Sequence, residues 1–206
     1  MKQVIVHPER CVGCMQCMFA CAIAHSRSET LLGALTEQPR PSPRVHVGAG
    51  PADEGFPNRC RHCDPAPCLQ ACLPGAIRKS GDGSTVLVDY DRCINCASCA
   101  MACPYGVIRF GEDAEAPPGK TVALKCDNCS RRRGRGEQPA CVEVCRTGAL
   151  SYEDPLEAMK RRTAEVAVTL FAQQEAADVG LPAPLALMQT IKRAQKALET
   201  RSPQSR

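Results

Sequence analysis

Aromatic side chains are nearly missing from this chain, which has no Trp, three Tyr and four Phe among its 206 residues. Aromatics normally supply much of a core's buried area, so the interior must be thin and something else must hold it. Long apolar runs are missing too. The longest, residues 164–172, is interrupted by Glu165 and Thr169 and falls far short of the ~20 residues a bilayer requires, so no direct membrane insertion is expected. The opening Met1-Lys2-Gln3-Val4-Ile5-Val6 is too short for the apolar stretch of a secretory leader. A cytoplasmic protein is therefore expected, and there thiols stay reduced. No glycine-rich phosphate cradle for a flavin or nicotinamide is present.

What the chain does have is cysteine, 16 in all, in four groups of four with none left over. The first group is Cys11, Cys14, Cys17 and Cys21, and the second Cys60, Cys63, Cys68 and Cys72. The third is Cys93, Cys96, Cys99 and Cys103, and the fourth Cys126, Cys129, Cys141 and Cys145. Groups one and three read C-x2-C-x2-C-x3-C, and group three ends in Cys103-Pro104. That spacing resembles the bacterial ferredoxin run, in which three thiolates bind one cubane cluster and the fourth serves its neighbour. Groups two and four stretch the middle gap to four and eleven residues. Soft thiolates also suit zinc. Structural zinc sites, however, pair two separate C-x2-C knuckles, and a repeated C-x2-C-x2-C triplet fits that plan poorly. A Rieske centre needs two His ligands, and only His62 lies inside a motif, with no partner. A disulfide scaffold of this size without a leader is disfavoured.

The groups form a repeat. Arg10-Cys11 and Arg92-Cys93 open groups one and three, while Ala66-Pro67-Cys68 and Pro139-Ala140-Cys141 mark groups two and four. One half of two motifs is therefore duplicated. Only 20 residues separate Cys72 from Cys93, and they hold the turn Gly81-Asp82-Gly83-Ser84 followed by a strand over 85–89. Such a hairpin makes groups two and three one module, leaving groups one and four to pair around it. Four 4Fe-4S clusters follow as an expectation. Cys11, Cys14, Cys17 and Cys145 hold the first, and Cys126, Cys129, Cys141 and Cys21 the second. Cys60, Cys63, Cys68 and Cys103 hold the third, and Cys93, Cys96, Cys99 and Cys72 the fourth. The predicted fold is α+β: two interleaved bacterial-ferredoxin-like, two-cluster modules with a C-terminal helical extension. The first module takes residues 1–55 and 111–152, the inserted second module 56–110, and a helical tail 153–206. Group one departs from the pattern, because Cys21-Ala22-Ile23-Ala24-His25 lacks the Pro-x-Gly-Ala turn.

The formal charge is +4. Four clusters, each about two units negative with its thiolates, would bring it to about −4. Arg131-Arg132-Arg133-Gly134-Arg135 reads as a solvated loop near an anionic cluster in preference to a docking loop for an acidic partner. Nucleic acid is not an expected partner, because no aromatics are interleaved for stacking. His7, His25, His46 and His62 are expected to be structural or to tune a cluster, and no catalytic residue is expected. Asp154-Pro155 should cap a helix that ends by Gly180, Pro182 and Pro184. A second helix over 184–199 would place Leu187, Ile191, Ala194 and Leu198 on one face.

The sixteen-cysteine layout over residues 1 to about 152 resembles the four-cluster ferredoxin-type electron-transfer subunits of oxidoreductases. These include the beta subunits of molybdopterin enzymes such as formate dehydrogenase and dimethyl sulfoxide reductase, and hydrogenase-linked ferredoxin proteins. Three strings resemble the iron–sulfur partner of carbon monoxide dehydrogenase (CooF type): Ala24-His25-Ser26-Arg27-Ser28, Pro39-Arg40-Pro41-Ser42-Pro43-Arg44-Val45-His46-Val47, and the stretch 56–68 that contains Cys60-Arg61-His62-Cys63-Asp64-Pro65-Ala66-Pro67-Cys68. That resemblance implies a non-catalytic electron carrier with carbon monoxide dehydrogenase as donor. Its acceptor would be a hydrogenase or flavin oxidoreductase, in the cytoplasm or at the inner face of a membrane complex. The beta subunit of a molybdopterin enzyme or hydrogenase is the alternative, and a zinc-stapled interaction scaffold the non-redox one.

Overall fold

The computed structural model describes residues 2–50, 54–176 and 191–192. Short strands and helices are interspersed along the chain, followed by one long helix. The order is β1 (Gln3–Val6), α1 (Gln16–Ala24), α2 (Leu31–Thr36), β2 (Val45–Ala49), β3 (Gly55–Arg59), α3 (Pro67–Gln70), β4 (Ile77–Lys79) and β5 (Val86–Val88). Then come α4 (Ser98–Met101), β6 (Arg109–Gly111), β7 (Val122–Leu124), α5 (Ser130–Gly134), α6 (Ala140–Glu143), β8 (Leu150–Glu153) and α7 (Pro155–Ala176). The fold is a small α+β one, with two compact units over Met1–Ala158 and Met159–Arg206.

The strands form four separate two-stranded antiparallel ribbons. The ribbon β4–β5 sets Ile77 against Val88 across the expected hairpin. Asp82 organises its turn, accepting from Ser84 N (3.1 Å) and from Ser84 Oγ (2.7 Å), as short acidic side chains do in turns. The ribbon β1–β8 joins the two ends of the cysteine-rich region, with Val4 opposite Tyr152 and Val6 opposite Leu150. It brings group one beside group four. In β2–β3, Pro57 stands opposite Val47; a two-stranded ribbon has only edges, where Pro is tolerated.

Each motif's third cysteine is the second residue of a helix: Cys17 in α1, Cys68 in α3, Cys99 in α4 and Cys141 in α6. Three of these helices stop after four residues. There the chain turns through Gly75, Gly106 and Gly148, each with φ between +57° and +67°, and each glycine N–H donates back to the carbonyl of the fourth cysteine. Group one has no such turn, so α1 is nine residues long and continues past Cys21 to Ala24.

Cysteine is itself core material. One core unites Ile77, Val86, Val107, Ile108, Val122 and Leu124 with Cys60, Cys68, Cys93 and Cys99. A second buries Val4, Val45 and Leu150 beside Cys17, Cys21 and Cys141, with Val6, Met18, Val47, Val142, Val144 and Tyr152 partly buried against it.

The helix α7 begins as read, with Pro155 first and Asp154 Oδ1 accepting from Leu156 N at 2.9 Å. The expected second helix lies outside the described residues except at Ile191 and Lys192, which are helical. No helix among the described residues is long and apolar enough to cross a membrane.

Candidate metal centres

All four C-x2-C loops share one backbone device. The residue just before the second cysteine is left-handed in each: Gly13 (φ +68°), His62 (+50°), Asn95 (+55°) and Asn128 (+58°). Gly, Asn and His are the residues that tolerate this region best. The turn folds main-chain N–H groups back over the preceding thiol. His62 N lies 3.3 Å from Cys60 Sγ, and Asn128 N lies 3.4 Å from Cys126 Sγ. Two more N–H groups reach thiols from elsewhere, Arg44 N to Cys21 Sγ at 3.2 Å and Ala123 N to Cys93 Sγ at 3.4 Å.

The structure gathers the cysteines into four sets, each drawn from two motifs. One cavity is lined by Cys60, Cys63, Cys68 and Cys103, with Pro104, Val107 and Lys125 in its wall. A second is lined by Cys93, Cys96, Cys99 and Cys72, closed by Ile77, Phe110 and Ala123. In the third set, burial and then the neighbouring Cys11, Cys14 and Cys145 push the Cys17 thiol up to about 11. In the fourth, burial raises Cys141 well above the usual thiol range, with Cys21, Cys126 and Cys129 close enough to raise it further. The thiols of Cys99 and Cys129 are pushed up to about 11 and about 12, again by burial first and neighbouring thiols second. All sixteen thiols are free of disulfides.

These quartets suit a polynuclear, anionic, sulfur-rich group. Around a single zinc at 2.3 Å, tetrahedral sulfurs stand about 3.8 Å apart. The one trio of metal-capable donors within 4.8 Å among the described residues is His25, Asp127 and Cys129, so the thiols of a quartet are spread wider than one zinc ion requires. That trio is already satisfied, because His25 Nε2 pairs with Asp127 Oδ1 at 2.9 Å. Buried polar nitrogens without a protein acceptor include Arg59 Nε, His62 Nε2 and Asn128 Nδ2. They sit on the segments that carry Cys60 and Cys126, where an anion with spare acceptor capacity would use them. Burial raises the Cys60 thiol, but the His62 ring and the Lys125 charge outweigh it and leave it at about 7.

Several residues behave otherwise than the sequence suggested. The arginine run is helical rather than a loop, because Arg131–Arg133 lie in α5, and although Arg131 and Arg135 are exposed to solvent as expected, they are also paired within the protein. Arg131 pairs with Glu29 at 2.8 Å and donates to the carbonyls of Ala24 and Ser26, Arg132 pairs with Glu143, and Arg135 pairs with Glu29 at 2.7 Å. Hydrogen bonds between segments distant in sequence cannot be read from a charge run. The histidines tie segments together. His7 Nε2 meets Ser151 Oγ at 3.2 Å across β1–β8, His25 joins α1 to the fourth motif, His46 lies in β2, and His62 Nδ1 accepts from Val86 N at 3.1 Å. Sequence reasoning missed Arg44, Arg59 and Lys125, all buried. Arg44 is neutralised by Asp113 at 2.7 Å, but the other two have thiols for neighbours.

One close approach makes a prediction. A Cβ on Gly55 would stand 2.6 Å from Cys11 Sγ and 2.6 Å from Gly13 N. Gly55→Ala must therefore displace the first motif loop. The expected outcome is loss of any iron bound where Cys11, Cys14, Cys17 and Cys145 gather, with the remaining iron kept, measured as iron per chain; an unchanged content would contradict this packing.

The comparisons with known proteins agree with this chemistry. The 4Fe-4S dicluster domain matches residues 52–155. The iron-sulfur protein of Rhodospirillum rubrum is 35% identical over 157 residues, covering 73% of this chain and 81% of that protein. The electron transport protein HydN of Escherichia coli K12 is 34% identical over 173 residues, covering 77% of this chain and 94% of HydN. UacF of the same organism is 37% identical over 153 residues, or 74% of this chain, but the match spans only 21% of UacF's length. With thiol quartets too wide for a lone zinc ion and a family match over half its length, the chain belongs to the 4Fe-4S dicluster domain family and is an iron–sulfur protein.

Proposed function

We propose that this chain is an electron-transfer protein that relays electrons through four 4Fe-4S clusters, with no catalytic site of its own. Their ligands are the four quartets: Cys11, Cys14, Cys17 and Cys145; Cys126, Cys129, Cys141 and Cys21; Cys60, Cys63, Cys68 and Cys103; Cys93, Cys96, Cys99 and Cys72. The observation that carries the reading is the way each quartet draws on two motifs while differing in exposure. Cys14 and Cys96 are exposed, whereas Cys21, Cys126, Cys129 and Cys141 are all buried. Two accessible sites and a buried interior suit entry, passage and exit. When bound, such clusters accept and release single electrons. The protein's share is to hold thiolates in place, direct N–H groups at them and exclude water around the buried quartets.

The donor proposed is carbon monoxide dehydrogenase, and the acceptor a hydrogenase or flavin oxidoreductase. The strings around His25, Pro41–Arg44 and Cys60–Cys68 support this partner choice. Relatives named as an iron-sulfur protein and an electron transport protein support the carrier role. The test is anaerobic mixing of the brown protein with a nickel-containing carbon monoxide dehydrogenase under CO. Bleaching of the broad visible absorbance is expected. Reduction by formate and a molybdenum enzyme alone would instead select the beta-subunit reading.

A further inference from the structure

Every cysteine motif opens on a cation: Arg10-Cys11, Arg59-Cys60, Arg92-Cys93 and Lys125-Cys126. Arg10 and Arg92 are exposed, and Arg92 Nη1 reaches only the Gly75 carbonyl, at 3.5 Å. The other two are buried, with Arg59 1% and Lys125 3% exposed, and they cross. Arg59, bonded in the chain to Cys60, sends Nη2 to Cys126 Sγ at 3.3 Å and to Asn128 Oδ1 at 3.4 Å, while Nη1 donates to Val4 O at 2.7 Å. Lys125, bonded to Cys126, stands in the wall of the cavity that Cys60, Cys63, Cys68 and Cys103 line. Its Nζ is anchored on the carbonyls of Val86 and Cys126.

A buried cation is expensive unless an anion answers it. For Arg59 the facing groups are the thiols of Cys126, Cys141 and Cys60. For Lys125 they include Cys60 and Cys68, whose thiols it pulls down against the burial that raises them. We propose that Arg59 and Lys125 are exchanged potential-setting cations. Arg59 raises the reduction potential of the cluster on Cys126, Cys129, Cys141 and Cys21, and Lys125 raises that of the cluster on Cys60, Cys63, Cys68 and Cys103. This rests on the four-cluster reading above. Reduction adds one electron to a cluster, so a fixed positive charge beside it stabilises the reduced form, and a hydrogen bond to a ligand sulfur acts in the same direction. In the low dielectric of the interior that charge acts at nearly full strength, whereas Arg10 and Arg92 are screened by water. Because each cation belongs to the backbone of one quartet and faces the other, the two inner sites are tuned as a pair.

The experiment is a potentiometric titration of the full-length holoprotein followed by electron paramagnetic resonance. Iron and sulfide are counted in every sample, and signals are assigned beforehand by their loss in Cys141→Ser and Cys68→Ser. In Arg59→Gln, the cluster on the Cys126 quartet should show about a tenfold lower reduced-to-oxidised ratio at a fixed poise, or about 59 mV for a one-electron couple. Lys125→Gln should do the same to the cluster on the Cys60 quartet. Arg59→Lys, which keeps the charge, should restore most of the potential, and Arg92→Gln should move nothing. Unmoved inner potentials at full metal content would overturn the proposal, as would a Lys125→Gln shift confined to the Cys126 quartet. If Arg59→Gln assembles poorly, Lys125→Gln and Arg59→Lys decide on the same terms. An unaltered protein with about eight irons would instead defeat the four-cluster reading beneath it.

Discussion

Anaerobic removal of iron with a strong chelator should unfold the cysteine-rich unit over Met1–Ala158. The core around groups one and four has three fully buried aliphatics, and its other buried members are cysteines. Burial raises Cys17 and Cys141, so without metal both thiols stay protonated and pack only as small apolar groups. Metal binding at such sites is folding free energy, ~10–16 kcal/mol for a structural zinc site in a small domain. A typical domain has only ~5–15 kcal/mol of net stability, so loss of even one comparable site consumes it. Circular dichroism should therefore show the loss of a cooperative thermal transition after chelation. A retained sharp melt would mean that the aliphatic cores suffice alone.

Cys103→Ser should empty the site of Cys60, Cys63 and Cys68 and spare the site of its own motif. Cys103 follows Cys99 in sequence, yet it lines the cavity of the second group, and Cys72 lines that of the third. The reason is the direction of α3 and α4, which place the third cysteine at their start and carry the fourth away. On the proposed four-cluster reading, about four of sixteen irons should be lost or rearranged. Electron paramagnetic resonance should show the change in one signal, the one that Cys68→Ser also removes. Loss of the signal tied to Cys93 and Cys96 would reverse the crossing.

Much of this architecture was legible because cysteine spacing encodes backbone geometry. The hairpin after group two was visible in Gly81-Asp82-Gly83-Ser84, and it formed as β4–β5. The missing Pro-x-Gly turn after Cys21 was visible too, and its consequence is the longer α1. The cap at Asp154-Pro155 stood in plain sequence. The ribbon β1–β8 was not legible as a pair, since Gln3–Val6 and Leu150–Glu153 are short and nearly the whole domain apart. Nor was Phe56-Pro57-Asn58-Arg59 readable as a strand, because Pro57 argues against one unless the ribbon has only two strands. Buried cations are the hardest class. Arg59 and Lys125 look like surface residues in sequence, yet both are buried and held by main-chain carbonyls, Arg59 also by the Cys126 thiol.

The arginines of α5 carry a related lesson. Their ion pairs with Glu29 and Glu143 arise because the path from α1 to α2 brings Glu29 alongside the fourth motif. At the partly exposed positions involved, each pair is worth about 0–1 kcal/mol, so they fix the course of the long gap between Cys129 and Cys141 more than they stabilise the fold.

The most direct test is elemental analysis of anaerobically prepared protein, with iron, zinc and acid-labile sulfide measured per chain. Sixteen thiols in four quartets predict about sixteen iron and about sixteen sulfide. Zinc in place of iron, an absence of sulfide, or iron near eight would contradict the account.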